Sequence, residues 1–71
     1  KEGVDMRDPE RINPFCEELI QLWRQVPDWR FAQFVSNLMI AYRNKYGYDA
    51  FYCEDENFIT FAQDWIKELS A

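Results

Sequence analysis

No histidine occurs in this chain of 71 residues, which removes the commonest general base and the commonest neutral metal ligand at once. Cysteine is nearly as scarce. Cys16 and Cys53 stand 37 positions apart, without the paired spacing of a zinc site and without a histidine to complete one. Of the two glycines, Gly3 and Gly47, neither belongs to a phosphate-cradling loop or to a turn of the oxyanion-hole kind. Ser36, Thr60, Ser70 or a cysteine would therefore have to act as nucleophile with no imidazole beside it. The expectation is a protein that is not an enzyme, with no cofactor, no structural metal and no small-molecule substrate. No apolar run approaches the ~18 residues of a membrane span, and the polar stretch from Lys1 to Glu10 lacks a signal-peptide pattern. Basic residues are also in deficit: eight against 13 acidic ones leave a formal charge of −5. That balance argues against nonspecific nucleic-acid or anionic-membrane binding and favours solubility. With few thiols and no disulfide pattern, the expected compartment is the cytoplasm.

What the chain does have is aromatic and aliphatic bulk at helical spacing. Hydrophobic residues make up 48% of it and aromatic ones 18%, a composition incompatible with a disordered polar chain. The first stripe is Ile12, Phe15, Cys16, Leu19, Leu22, Trp23 and Val26; the second is Phe31, Phe34, Val35, Leu38 and Tyr42; the third is Phe58, Phe61, Ala62, Trp65, Ile66 and Leu69. Each repeats as i, i+3, i+4, i+7, so each marks an amphipathic helix with one buried side. The spacing predicts an all-α, compact three-helix domain with helices near 14–26, 29–46 and 56–69 and with Trp23, Phe34, Leu38, Phe61 and Trp65 in the core. Cys16 falls on the first stripe and is expected to be a small buried hydrophobe rather than half of a disulfide.

The punctuation supports this division. Residues 1–5 have no periodicity and are expected to form a frayed extension to a single helical domain over 6–71. Asp8-Pro9 and Asn13-Pro14 both fit an N-cap followed by proline at the first helical position. A short helical turn at 9–12 with a kink or restart at Asn13 reconciles them, since a proline deeper in a helix costs up to ~3 kcal/mol. Pro27-Asp28 closes the first helix and offers Asp28 as cap of the second. Arg43, Lys45 and Gly47 close the second helix, the cations by complementing its dipole and the glycine by adopting a left-handed conformation. Between the second and third helices a further short turn is expected in the 48–53 connection, with Phe51 plugging the core. Asp55 and Glu56 suit the start of the third helix.

Four features bear on function. The cluster Asp49, Glu54, Asp55 and Glu56 could hold a hard cation, but it lacks calcium-loop spacing, and helix N-termini attract acids without any metal. Arg30, Gln33, Asn37 and Asn44 fall near one line on the second helix, with Arg43 and Lys45 extending it. These are residue types that read bases and bind phosphates, so a small helix-turn-helix-like DNA-binding protein is the alternative reading. The third feature is Trp29, Tyr46, Tyr48 and Tyr52, which lie off the stripes. Three short helices cannot easily cover 13 aromatic side chains, and Trp and Tyr are enriched in interface hot spots. The expectation is a non-catalytic interaction or assembly module whose partner is a second copy of the chain or a larger protein, docking through these four residues.

The fourth feature is a resemblance. Arg7-Asp8-Pro9-Glu10-Arg11-Ile12, then Trp23, Pro27-Asp28-Trp29-Arg30-Phe31-Ala32-Gln33 and Phe51-Tyr52 resemble a group of small bacterial and phage-borne helical proteins that have no assigned activity. The likeness covers about two thirds of the chain, from Met6 to Cys53. It implies a compact helical protein and carries over no binding or catalytic residue. Pro14 departs from the proline-free first helix of that group.

Overall fold

A computed structural model describes residues 7–70; the extension expected over residues 1–5 lies outside them. Three helices account for most of what is described: α1, Ile12–Arg24; α2, Phe31–Tyr46; and α3, Asp55–Ser70. One 3-10 turn, Pro9–Arg11, precedes α1, and another, Ala50–Tyr52, stands between α2 and α3. The order of cross-links sets the directions. Arg11 pairs with Asp55, and Glu18 with Gln63, so α1 and α3 run the same way. Tyr42 meets Phe58 while Trp29 meets Trp65, so α2 runs against them.

Local chemistry explains the boundaries. Asp8 caps the first 3-10 turn, its carboxylate accepting from the Glu10 N–H at 2.9 Å, with Pro9 at the opening position. The helix then continues through Asn13 without a kink, because Pro14 is only the third residue of α1 and the first-turn amides have no intrahelical acceptor to lose. Asp28 does not cap α2. Arg30 does, in an extended conformation, with its N–H bonded to the Gln33 side chain at 2.8 Å as in one half of a capping box. Trp29 is kept out of the helix because its carbonyl accepts the Trp23 indole N–H at 2.7 Å. At the other end Gly47, with φ of 80°, donates to the Arg43 carbonyl at 2.8 Å. That left-handed C-cap is the one the sequence anticipates.

α1 and α2 both pack on α3 and meet each other through rings: Trp23 stacks on Phe34, centroids 5.7 Å apart and nearly coplanar, and touches Phe31 at 5.6 Å. The core is Leu22, Phe34, Leu38, Tyr42, Ala50, Ile59, Phe61, Ala62 and Ile66. Phe34, Leu38 and Phe61 are thus buried as expected, whereas Trp23 and Trp65 are only half-buried at its margin. Two further expectations are corrected. Cys16 is exposed, and Phe51 is 78% exposed while its neighbour Ala50 enters the core in its place. Asp49 caps the second 3-10 turn through the Phe51 N–H at 2.9 Å. In that turn Ala50 points inward, leaving both following rings outside. Both cysteines are free thiols.

Candidate functional site

The aromatic side chains off the stripes do not gather into one patch. Trp29 belongs to the core margin, half-buried with its ring 6.0 Å from Trp65. Tyr46 and Tyr48 are exposed and cluster at the C-terminus of α2 around Tyr42, at 4.6 and 5.7 Å. Lys45 lies over the Tyr46 and Phe61 rings at 5.5 and 5.9 Å, where a cation gains from the ring quadrupole. Tyr52 stands apart, 77% exposed, edge-on to Phe51 at 5.0 Å. A groove of about 550 Å³ between α2 and α3 is lined by Trp29, Ile40, Lys45, Phe61, Trp65 and Leu69.

Tyr42 is the buried hub of this end of the molecule. Its hydroxyl is held well above a phenol's ordinary range, by a hydrogen bond with the Cys53 thiol first, then by its bond to the Tyr48 hydroxyl at 3.2 Å, then by burial. A group kept protonated in this way is a packing and hydrogen-bonding element, not a base.

The acidic cluster is tied up differently. Arg7 reaches both oxygens of Glu54, at 3.1 and 3.2 Å, and the Arg11 guanidinium lies 3.1 Å from Asp55. The two arginines, four apart, thus fasten the chain before α1 onto the start of α3, beside an open cleft of about 640 Å³ between these helices. Among the described residues no three acidic or thiol side chains converge to hold a metal ion. This pairing gives the Arg7-to-Ile12 segment a structural role that spacing alone could not reveal, because it links residues 47 apart. All four groups are about half exposed, so each pair is expected to contribute under about 1 kcal/mol. Thermal melts of Arg7→Ala and Arg11→Ala should fall by no more than a few degrees, the loss shrinking at high salt, and chelator should leave the wild-type melt unchanged. A chelator-induced drop restored by calcium or magnesium would make Glu54 and Asp55 ligands instead.

The residues of the nucleic-acid reading do not form one presenting face. The Gln33 side chain is occupied at the Arg30 cap, and Asn37 is half-buried in the α2–α3 groove. Arg43 lies about 120° around α2 from Asn37 at 3.6 residues per turn.

Sequence reasoning missed another set. Ile12, Ile20, Phe31, Val35 and Met39 are exposed although several sit on the predicted buried stripes. Periodicity marks the apolar side of a helix but not how much of it a neighbour covers. Comparison with protein-family models, curated proteins and solved structures finds no match. The fold and surface therefore define the class: an all-α three-helix domain with extensive apolar surface in water.

Proposed function

We propose that this chain is a non-catalytic protein–protein interaction module of the cytoplasm that associates with itself. The observation carrying this reading is a mismatch between core and surface. Among the described residues eleven large hydrophobic side chains are exposed, against nine buried apolar residues of which two are alanine. At roughly 200 Å² per ring, the exposed fractions of Phe31, Tyr46, Tyr48, Phe51 and Tyr52 keep about 600 Å² of aromatic surface in water. That total is divided between Phe31, the Tyr46–Tyr48 pair and the Phe51–Tyr52 pair, so the mismatch lies in the sum of exposed rings rather than in one contiguous patch. A second copy is the simplest cover, because closed homomeric assemblies bury the same patch on each subunit. No helix among the described residues is long and apolar enough to cross a membrane.

Light scattering across a range of concentrations tests the reading: the expected mass is near twice the chain's 8.7 kDa, and 8.7 kDa at every concentration rejects it. A duplex-DNA titration checks the alternative. No binding is expected near physiological salt. Micromolar binding that weakens steeply with added salt and with Arg30→Ala and Arg43→Ala would establish the DNA reading instead.

A further inference from the structure

The net charge of the chain is not spread evenly. Two hollows, of about 640 and 340 Å³, follow one another along the seam between α1 and α3 and meet at Glu18 and Gln63. Together they are lined by six carboxylates, those of Asp8, Glu17, Glu18, Glu54, Asp55 and Glu56, and by two guanidinium groups, those of Arg7 and Arg11. Six against two leaves a charge of −4 in this groove, most of the −5 carried by all 71 residues. The α2–α3 groove, by contrast, holds one cation, Lys45, and one anion, Glu68.

Helix-end electrostatics accounts for only part of this pattern. Asp55 and Glu56 stand in the first turn of α3, where amide dipoles favour acids, and Glu54 and Asp55 are paired with the two arginines. Glu17 and Glu18 lie in the middle of α1, beyond the reach of a terminal dipole. Among the described residues Glu17, Glu18 and Glu56 form no ion pair; Glu18 accepts only the neutral Gln63 amide, at 2.8 Å. The acids also fail to converge, since no three of the described ones gather where they would hold a metal ion. They are strung along the seam instead, beside a helix of 13 residues that is about 20 Å long at 1.5 Å per residue. A single ion cannot match charges distributed in this way, whereas several cations on one chain can. Between the carboxylates the groove has an apolar floor, with Pro14 and the half-buried Phe15 in the larger hollow and Leu22 in the smaller. Lysine and arginine lay their methylene stems on such a surface while the charged head stays among polar groups.

We infer that the α1–α3 groove docks a basic segment of another protein, one whose lysine or arginine side chains alternate with apolar ones. The inference goes beyond self-association, and charge sets the two apart: laying this groove against its own copy would bring like charges together. Towards a cationic partner the same field raises the rate of encounter, and the contact weakens with added salt.

The test uses the complete chain and a fluorescein-labelled synthetic peptide of alternating lysine and leucine, with a glutamate–leucine peptide as its counterpart of opposite charge. Fluorescence anisotropy at low salt is expected to show saturable binding of the lysine peptide, weakening as salt is added, and none of the glutamate peptide. Glu17→Lys combined with Glu56→Lys reverses one unpaired charge in each hollow. It should raise the dissociation constant about tenfold or more, equivalent to about 1.4 kcal/mol. Asp28→Lys combined with Asp64→Lys makes the same change in net charge outside the groove and should have little effect. Amide chemical shifts of the wild type, which need no variant to fold, should move at Glu17, Glu18, Glu56 and Gln63 when the lysine peptide is added. Absence of binding at low salt, or shifts centred away from the seam, would overturn the inference. An equal loss from both variant pairs would overturn it too, by showing attraction to net charge alone. Light scattering of the Glu17→Lys, Glu56→Lys variant checks the remaining occupant: self-association lost with these two charges would seat a second copy in the groove and reject a foreign partner.

Discussion

Phe34→Ala is expected to lower the stability of the domain by about 3–5 kcal/mol, the range for truncating a buried ring. Phe34 keeps 2% of its surface exposed, stacks flat on Trp23 and sits among Leu38, Ile66 and the other core residues. Its removal leaves a cavity that the neighbouring rings cannot close without leaving their own contacts. A chain of this length has about 4–10 kcal/mol of total stability at 0.05–0.15 kcal/mol per residue, so the variant should be largely or wholly unfolded in denaturant concentrations that leave the wild type native. Trp65→Ala should cost less, although the stripe pattern ranks the two residues alike. Trp65 is half-buried, and part of its ring already faces the open α2–α3 groove. Urea unfolding followed by circular dichroism measures both. A change under about 1 kcal/mol for Phe34→Ala would place that ring on the surface and refute the core described above.

The second large effect concerns alkali. The Tyr42 hydroxyl, hydrogen-bonded with the Cys53 thiol and then with Tyr48, holds its proton above the ordinary value of 10.0. A phenol gains charge on losing its proton, so a raised folded value means that the native state binds this proton more tightly than the unfolded chain does. The resulting stability is fully present below pH 10.0 and is lost as pH rises through the folded value. Helical signal and melting temperature should therefore fall above about pH 10, with tyrosinate absorbance from Tyr42 appearing only as the helices are lost. Tyr42→Phe keeps the ring against Tyr46 and Phe61 and removes the titrating group, so its alkaline decline should be shallower. An identical decline in wild type and Tyr42→Phe would show that the alkaline transition belongs to other groups.

How much of this was legible in the sequence can be judged residue by residue. The three helices, the proline and glycine punctuation, and the burial of Phe34, Leu38 and Phe61 follow from helical periodicity and cap chemistry, which act over a few residues and can be read locally. Gly47 shows this well: cations before it and a lapse of the helical spacing after it left one backbone conformation as the natural stop, and φ of 80° is that conformation. The Asp28 cap failed for an equally local reason that was harder to see, since the Trp23 indole engages the Trp29 carbonyl and moves the helix start to Phe31. The candidate site was legible only in kind. Composition showed more aromatic surface than a short chain can bury, but Trp29 proved to be core margin, and Tyr46 and Tyr48 were separated from Tyr52.

By itself the sequence determined the all-α class, the number and approximate limits of the helices, and the absence of histidine and of closely spaced cysteines. These depend on residue type and spacing along one chain. Tertiary structure alone decided which residues of the apolar stripes are covered, that Ala50 rather than Phe51 enters the core, and that Arg7 and Arg11 fasten onto Glu54 and Asp55. Those outcomes depend on the relative placement of elements tens of residues apart. Phe34 and Tyr42 are buried because rings of α1 and α3 lie against them, whereas Ile12, Ile20, Val35 and Met39 stay largely in water, since helical spacing fixes a residue's direction but not what a distant element covers.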